Sequence, residues 1–482
     1  MKAQAWYPLA LILILALPAG VLFDARDAGF VADDFAVALA PVDWSFSGLL
    51  GGDWGHSPGD PARYRPVVTM LYGVDQALGG RRPLAFHLTN FLLHGLAAAL
   101  LAELARRLTG SRVAGALAGM LFAVHPVVHE NVVWISGRTH PTATVLVLGA
   151  LVLYARPDGA RRGRAAPAAA LLLAWAALSS YESAVTLPGA VAIVAWVMAR
   201  ERSMVPRLGQ AALAAWPSAA LVGAYLLFRH VWLASSESTA VTLDPTLARA
   251  NLDALGTRLL ACGACGLGGV ASRSLSFWLS AGTLAAGGVA ACRSPQLRGS
   301  WLAGLGLAAV WFVPFVTFPG YTDRFAYASA AGICLSMAVG LVALGRARPP
   351  ASRAIVAALV LALAALWSRQ LRIEAGDWRE AGEIAREIPA QARALLPDPP
   401  RGATLRFFRV PMNHGRASVF VTSFHVAVAL AYGRSDLDVR FEHAQDDEAI
   451  EHAVANRGAH ETVLWWDGPS RRVRMAAAID PR

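Results

Sequence analysis

The sequence predicts an α-helical protein that crosses a membrane many times and ends in a small α/β domain. Three observations predict this class: of 482 residues, 56% are hydrophobic, only 16% are charged, and the mean hydropathy is +0.44. Soluble domains have about 45–50% apolar and about 25% charged residues, because their surface needs charge to stay in solution. The composition therefore excludes a soluble enzyme, a disordered chain and a small secreted domain held together by disulfides.

Eleven apolar stretches are long enough to be membrane crossings, since about 20 helical residues span the hydrocarbon core. The first resembles a signal peptide, but it lacks a clear small-residue cleavage site, so we expect it to remain as a membrane span. The predicted crossings cover residues 6–23, 84–105, 113–129, 141–155, 166–180, 184–199, 209–233, 275–292, 299–318, 325–345 and 351–368.

Arginine clusters between these stretches predict the orientation, because cytoplasmic loops carry an excess of positive charge. The net charge is +10 and Lys2 is the only lysine, which with abundant Ala and Gly indicates a GC-rich bacterial genome. With a cytoplasmic N-terminus, all five clusters lie inside: 106–112, 156–164, 200–207, 293–298 and 346–353. We expect a multi-pass protein of the bacterial inner membrane whose basic residues orient it and bind no nucleic acid. The apolar piece 255–271 must then re-enter the membrane or lie on its surface.

The periplasmic side then holds the first loop, 24–83, and the C-terminal tail. The loop carries eight Asp and no Glu. In the tail, residues 369–395 have Glu/Arg pairs at helical spacing and predict an amphipathic helical linker. After a Pro-rich segment, alternating residues predict a small α/β domain over 396–482. Its predicted elements are strands at 404–410, 438–442 and 462–466 and a helix at 447–455.

Two groups of ionisable residues in the first loop are functional candidates, because charge near membrane depth is costly unless it is used or paired. Asp33 and Asp34 follow the first span closely. One of the two carboxylates can point into a cavity while the other binds an Arg side chain or a helix N-terminus. Adjacent carboxylates push their pKa values apart, and the carboxylate with the raised pKa suits a general base; the alternative is a solvated acidic loop or a helix cap.

The second group is Tyr64 and Arg65, which predict either a phosphate site or an interfacial anchor.

The densest group lies where the third span reaches the periplasmic side, and it contains His125, His129, Glu130, Arg138 and His140. His125 and His129 would share a helix face if the helix continues. That spacing can bind a metal, with Glu130 or His140 as third ligand, although it is not the HExxH pattern. A structural hydrogen-bond network and a substrate-lining cluster are the other interpretations, and we favour the last.

Two smaller groups lie at other periplasmic turns. Glu182 follows Tyr181 between the fifth and sixth spans, and Asp323, Arg324 and Tyr327 lie at the outer end of the tenth. An Arg beside aromatic residues at this level fits a lipid phosphate that carries a long isoprenoid chain. The alternative is a simple interfacial ion pair between Asp323 and Arg324.

Five motifs stand in a defined order along the chain. A double Asp after the first span is followed by YRPVVTMLYGVDQALGGRRPLAFHLTNFLLHGLAA, LFAVHPVVHENVVWISGR, ALSSYESAVTLPG and YTDRFAYASAAGICL. This order resembles the membrane-embedded glycosyltransferases of the GT-C superfamily. It is most similar to the multispanning O-mannosyltransferases with tetratricopeptide repeats and their bacterial relatives, over roughly residues 1–380 and without the repeats.

The resemblance implies that residues 1–368 form a GT-C-like catalytic domain of about eleven transmembrane helices. Such an enzyme transfers a sugar, mannose or another, from a polyprenyl-phosphate carrier to a hydroxyl of a protein or glycan acceptor, with inversion and on the periplasmic face. Asp33 or Asp34 would be the general base. Basic side chains would hold the carrier phosphate, namely Arg65, Arg138 and Arg324. The candidate substrate-lining residues are Tyr64, His125, His129, Glu130, His140, Glu182, Asp323 and Tyr327.

Elementary chemistry agrees with this interpretation. The acceptor hydroxyl needs a base, and the leaving phosphate needs positive charge. The sequence has no glycine-rich nucleotide-binding motif, and we expect no cofactor and no divalent metal.

Two other interpretations stay open. One is a transporter or flippase of a lipid-linked solute, which should place charge near the bilayer midplane and show internal repeats. The other is a non-catalytic partner in the assembly of an envelope polysaccharide.

Overall fold

The computed structural model describes residues 6–45, 64–155, 165–199, 203–232, 244–260, 275–347, 350–442 and 446–476. Its apolar helices pack side by side into a bundle. Helix α4 (Pro83–Thr109) contacts α1 (Trp6–Val21), α5 (Arg112–Ala123) and α7 (Thr139–Tyr154). Helix α14 (Tyr327–Ala347) also packs against α5 and is buried over most of its length.

The remaining helices of this region are α2 (Asp34–Val37), α3 (Pro66–Gly79), α6 (His129–Val133), α8 (Ala165–Leu178), α9 (Leu187–Met198), α10 (Met204–Trp232), α11 (Pro245–Leu259), α12 (Leu275–Cys292), α13 (Pro295–Phe312) and α15 (Ala351–Leu395). Short 3-10 helices cover Phe23–Asp27, Pro126–Val128, Ile135–Arg138, Glu182–Thr186, Val313–Phe315 and Asp323–Ala326. Each of the eleven predicted crossings overlaps one of these helices, although 113–129 and 299–318 run beyond the ends of theirs, at Ala123 and Phe312.

The polytopic helical class is confirmed, and the number of crossings stays a prediction. Among the described residues, six helices are long and apolar enough to span a membrane alone. A seventh span would combine Arg112–Ala123 with Pro126–Val133, which meet at a bend of 52°. Pro126 explains the break, because proline offers no backbone donor and clashes with the preceding turn. Other apolar helices, such as Trp6–Val21 and Glu182–Met198, are shorter.

Helix α15 differs from the prediction in its length. The last crossing, 351–368, and the predicted helical linker, 369–395, form one continuous helix of 45 residues. About 20 residues cross a bilayer, so the second half continues beyond it. This half is anchored to the first loop through a close backbone approach, where a Cβ on Gly382 would stand 2.4 Å from the backbone nitrogen of Gly29.

The tail forms the predicted small α/β domain. Strands β1 (Thr404–Phe408), β4 (Asp438–Phe441) and β5 (Glu461–Asp467) and helix α17 (Asp447–Ala455) confirm the four predicted elements. The sheet order is β4-β1-β5-β6, in which β1 pairs in parallel with β4 and β5. The sequence did not predict the remaining elements, which are β2 (Asn413–His414), β3 (Ala417–Ser418), helix α16 (Phe424–Tyr432) and the antiparallel edge strand β6 (Arg472–Met475).

The tail domain packs back onto the bundle. Its helix α16 and strands β2, β3 and β6 contact the second half of α15. The β2–β3 hairpin and the residues after it, 412–422, reach the first loop: the N–H of Ala32 donates to the carbonyl of Val419 at 2.8 Å, and the rings of Phe35 and Phe420 stack. The tail is therefore part of the surroundings of the acidic pair.

Candidate functional site

The segments predicted to face the periplasm meet at one end of the bundle, which we call the polar end: residues 23–38, 125–138, 179–186 and 313–326. Helix α11 joins them, since it lies against the 3-10 helix Asp323–Ala326. The predicted re-entrant piece 255–271 falls mostly outside the described residues, and only its first residues belong to α11. Short helices and irregular backbone at this end direct charged side chains toward one another.

Asp34 is completely buried and binds its own loop to the third motif. Its Oδ1 accepts from the backbone N–H of Ser136 at 2.8 Å and from the Ser136 hydroxyl at 2.5 Å, while Oδ2 accepts from the N–H of Val31 at 3.0 Å. Burial raises the pKa of Asp34 to about 7, and the hydrogen bonds from Ser136 and Val31 oppose the rise. The carboxyl thus has a near-neutral pKa, but both oxygens are already engaged.

Asp33 is only partly buried and points the other way, to the tail domain. The hydroxyl of Thr422 donates to Oδ1 of Asp33, and within the described part of the chain Oδ2 receives no hydrogen bond. The preceding residue, Ala32, has a φ of +45°, in the left-handed region that costs a residue with a Cβ about 1 kcal/mol or more. Strained backbone of this kind clusters at functional sites, where surrounding contacts hold it.

Arg138 lies in a closed ion pair. Its Nη1 is 2.6 Å from Oδ2 of Asp75, its Nη2 donates to the carbonyl of Phe86 at 2.9 Å, and its guanidinium stands 4.5 Å from the Tyr72 ring centroid. The side chain is fully buried. Arg138 therefore holds α3 and α4 to the third motif, and a phosphate would have to displace Asp75 to reach it.

Arg324 and Glu130 form a second pair, partly open to solvent. The Arg324 Nη1 donates to Oε1 of Glu130 and the Arg324 backbone N–H donates to Oε2, both at 2.9 Å. The guanidinium stands over the rings of Trp134 and Phe325, at 5.4 and 5.3 Å from their centroids. Its side chain is 29% exposed, compared with 12% for Arg65.

Arg65 and Glu182 form a third pair, with an Nη2–Oε2 distance of 2.9 Å. Arg229 from α10 adds a contact of 3.3 Å to the same carboxylate. The neighbouring Tyr64 is buried against the ring of Phe228. A layer of aromatic rings joins this pair to that of Arg324, and it consists of Tyr181, His140, Phe315 and Phe325.

His129 and Asp323 lie in a buried network. The Trp378 indole N–H donates to Nδ1 of His129 at 3.0 Å, so Nε2 carries the proton and donates to Asp323 at 3.0 Å. Arg258 contacts Asp323 at 2.8 Å and Glu374 at 3.0 Å. Arg416 of the β2–β3 hairpin reaches the same Asp323 carboxylate at 3.0 Å. The network therefore links α6, α11, α15 and the tail.

The structure does not bring every predicted site residue into this end. Tyr327 is buried in the bundle, where its hydroxyl lies 2.7 Å from Nδ1 of His94. His125 and His129 share no helix face, because α5 ends at Ala123; the His125 Nε2 faces the carbonyl of Leu259 at 3.2 Å. In the described ranges, no three His, Cys, Asp or Glu side chains are grouped as metal ligands.

Several site residues were missed in the sequence. Arg258 is on α11, whose start is marked by Asp244, which caps it, and by Pro245; this pair could have predicted the helix. Glu374 and Trp378 share a face of α15 by their i, i+4 spacing. Ser136 and Asp75 stand inside quoted motifs without a pattern of their own. Arg416 and Thr422 lie in a segment with no periodicity, so no signal identified them.

The bundle, its acidic first loop and the arginine pairs at one end define the class: a polytopic membrane protein with its candidate site at the helix ends. Two solved structures share this fold. Apo ArnT from Cupriavidus metallidurans aligns with a TM-score of 0.51 and 12% identity, covering 97% of this chain and 94% of that one. The mycobacterial arabinofuranosyltransferase AftD gives a TM-score of 0.50 and 16% identity over 91% of this chain and 33% of that one.

Sequence comparison finds curated relatives over part of the chain. Protein O-mannosyl-transferases Tmtc1 and Tmtc2 of Drosophila melanogaster are 34% and 36% identical over 168 and 173 residues, 33% of this chain in each case. The human TMTC2 is 35% identical over 105 residues, 21% of this chain. The matches span 19%, 18% and 12% of these relatives' own lengths. No protein-family model matches the chain. The chain has the fold of the GT-C superfamily of membrane glycosyltransferases.

Proposed function

We propose that this protein is a membrane glycosyltransferase that moves a sugar from a polyprenyl-phosphate carrier to an acceptor hydroxyl. The observation that carries the proposal is the acidic pair: one carboxyl is locked into the fold and the other is accessible, in a strained loop at the polar end. The O-mannosyl-transferase relatives support a glycosyltransferase.

Asp33 is the better general base of the pair. A base must come within hydrogen-bond reach of the proton that it removes, so accessibility decides before pKa does. Both oxygens of Asp34 already accept hydrogen bonds inside the protein, whereas Asp33 is partly exposed and has one oxygen free of donors among the described residues. In this proposal Asp34 orients the loop and Asp33 receives the proton.

Arg324 and Arg65 are the proposed contacts for the carrier phosphate. A phosphate can replace a carboxylate partner, since arginine binds both with the same two-pronged geometry. Arg324 is the more accessible, and the ring of Phe325 under its guanidinium packs against Phe318, whose side chain is 46% exposed. A cation beside exposed apolar surface suits a phosphate that carries an isoprenoid chain.

The proposed reaction is a direct displacement. The acceptor hydroxyl loses its proton to Asp33 as its oxygen attacks the anomeric carbon, and the bond from that carbon to the phosphate oxygen breaks on the opposite side. The configuration inverts, and the carrier phosphate leaves with its new negative charge beside Arg324 and Arg65. These side chains supply the charge that the leaving group needs, and no metal has a role in the proposal.

The test is sugar transfer by the full chain in lipid vesicles, with a panel of radiolabelled polyprenyl-phosphate sugars as donors. Asp33→Asn should lower the rate by about 10²–10⁴-fold, the usual contribution of a general base. Asp24→Asn is the matched control, because Asp24 is an exposed carboxylate in the same loop, and it should keep the full rate.

Full transfer by Asp33→Asn would overturn the assignment of the base while leaving the glycosyltransferase in place. No transfer from any donor of the panel would contradict the proposal itself and favour a transporter or a non-catalytic partner.

A further inference from the structure

A cavity of about 880 Å³ opens beside the acidic loop. Its walls come from the first loop, the turn before α4, the second half of α15 and helix α16 of the tail. Phe30 and Phe35, which flank Asp33 and Asp34 in sequence, both line it. The volume is within the usual range of sites for small molecules, roughly 300–1,000 Å³. The cavity therefore borders the loop that carries Asp33, and it is large enough for a headgroup of one or two sugars.

The cavity walls are strongly cationic. Six arginines line it, with two acids, Asp27 and Glu383. The six are Arg26, Arg81, Arg82, Arg379, Arg386 and Arg393. Arg26 contacts Asp27 at 3.4 Å, Arg393 donates to the carbonyl of Ala431, and Glu383 is 3.6 Å from Arg471.

The other four arginines are the distinctive feature. Across the described residues, none of Arg81, Arg82, Arg379 and Arg386 has a carboxylate within 4.0 Å. All four are exposed. Elsewhere at the polar end, the arginines of the candidate site are each paired with an acid. An excess of free guanidinium groups around a cavity attracts a ligand with several negative charges, and arginine binds phosphate through two parallel hydrogen bonds.

An apolar stripe leads from the bilayer to this cavity. Leu84, Leu88 and Leu92 follow one another at i, i+4 spacing along α4 and are 45%, 52% and 58% exposed. This face of a membrane helix meets lipid tails. Leu84 belongs to both the stripe and the cavity wall. The arrangement fits an amphiphile, with its chains along α4 and its charged headgroup among the arginines, better than a freely soluble anion.

We propose that this cavity binds the phosphate-bearing headgroup of a membrane lipid, and that this lipid is the sugar acceptor, its hydroxyl presented to Asp33. The assignment as acceptor rests on the proposed function; the binding site does not. Arg82 from the turn before α4 and Arg386 from α15 are placed to hold the phosphate from two walls of the cavity.

The experiment measures binding, without donor and without turnover. The full chain in a neutral detergent is titrated by calorimetry with dioctanoyl phosphatidic acid, with dioctanoyl phosphatidylcholine and with inorganic phosphate. Phosphatidic acid should bind at least about tenfold more tightly than either of the other two, since only it offers both an accessible phosphate and chains.

Variants locate the site. The double variant Arg82→Gln/Arg386→Gln should weaken the binding of phosphatidic acid by at least about tenfold, because two charge-assisted hydrogen bonds are lost. Arg401→Gln removes an exposed arginine of the tail outside the cavity and should change the affinity by less than about twofold. All three positions are exposed, so thermal unfolding should be unchanged.

Equal affinity of the double variant and the wild type would overturn the site. Phosphatidylcholine carries its phosphate as a choline ester with no net charge, so its binding as tightly as phosphatidic acid would overturn the role of an accessible anionic phosphate. Inorganic phosphate binding as tightly would overturn the role of the lipid chains. Because binding of phosphatidic acid is measured without donor and without turnover, failure of this site and failure of the proposed glycosyltransferase are separate results.

Discussion

Asp33 and Asp34 are neighbours in sequence with opposite surroundings. Asp34 is buried and holds Ser136 and Val31, and Asp33 faces the tail through Thr422. In a helical turn, successive side chains point in directions about 100° apart. This difference is enough to bury the side chain of Asp34 and leave that of Asp33 at the surface. In the proposed function the two carboxyl groups have separate tasks: Asp34 fixes the loop and Asp33 meets the substrate.

The buried carboxyl predicts an unusual dependence of stability on pH. The pKa of Asp34 is about 7 in the folded chain, because of burial, against an ordinary value of 3.8. Between these two values the folded state keeps a proton that the unfolded chain has lost, so the free energy of unfolding falls as the pH rises from about 4 to about 7 and is level above it. Asp34→Asn, which does not titrate, should remove this fall.

The measurement is the unfolding temperature in detergent at pH 5 and pH 8. The wild type should lose stability between the two, and Asp34→Asn should lose less. Asp33→Asn changes the adjacent carboxyl, which is not buried, and should follow the wild type. The same loss in all three proteins would contradict the assignment of the proton to Asp34.

The sequence indicated the charged residues of the site better than their partners. Charged residues near membrane depth are costly unless they are paired or functional, and this criterion identified Asp34, Glu130, Arg65 and Glu182. Their pairings join residues 102 to 194 positions apart, such as Asp34 with Ser136 and Glu130 with Arg324. Local pattern carries no information on contacts at such separations. Arg138 is an example. As an arginine it was predicted to bind the carrier phosphate, but in the structure it forms a buried ion pair with Asp75.

The β2–β3 hairpin is the element that couples the tail to the site. Arg416 reaches Asp323 with its side chain and donates its backbone N–H to Asp377 at 2.9 Å, while Thr422 reaches Asp33. Gly415 makes this approach possible: its φ is +54°, and a Cβ there would stand 2.4 Å from the carboxylate of Asp377. The hairpin thus connects the buried network of His129 to the acidic loop.

Gly415→Ala should loosen this docking. The strained φ costs about 1–3 kcal/mol and the clash with Asp377 adds to it, so the hairpin should open more often. We expect proteolysis of the segment 410–423 to become about tenfold faster or more, and transfer to fall with it. Gly433→Ala is the control, since Gly433 has a φ of +67° but nothing within 4 Å of its added Cβ. Equal cleavage of the two variants would mean that contact with Asp377 does not hold the hairpin.

Elements were predictable where they were long or strongly patterned. The strands at 404–410, 438–442 and 462–466 were found because their residues alternate, and Asp447–Ala455 because it has a helical pattern after a capping Asp446. Strands β2 and β3 have two residues each, too few to show a period. The sequence did not predict that the last crossing and the linker form one helix. The composition changes from apolar to charged between them, but no helix-breaking residue stands there, so the helix continues.

At the scale of the whole molecule, the acidic loop, the arginine pairs, the cationic cavity and the tail share one end of the bundle. The opposite end carries its own basic residues: Arg106 and Arg107 pair with Glu103, and Arg107 donates to the carbonyl of Val152. By the positive-inside rule, the short basic loops at this opposite end are expected to face the cytoplasm, with the polar end on the other side. This prediction depends on the order of apolar stretches and arginine clusters along the sequence, and it needs no long-range contacts.

The orientation can be tested with single cysteines in a chain whose native cysteines are replaced by serine. Arg401→Cys lies in the tail and Arg298→Cys near the start of α13, at the opposite end, and both positions are exposed. In intact cells a membrane-impermeant maleimide should label the first and leave the second until the membrane is permeabilised. Labelling of Arg298→Cys alone would reverse the orientation and place the polar end in the cytoplasm. The donor would then have to present its sugar on the cytoplasmic leaflet, and the proposed acceptor lipid would have to lie in that leaflet too, because the cavity and the acidic loop are at the same end of the bundle.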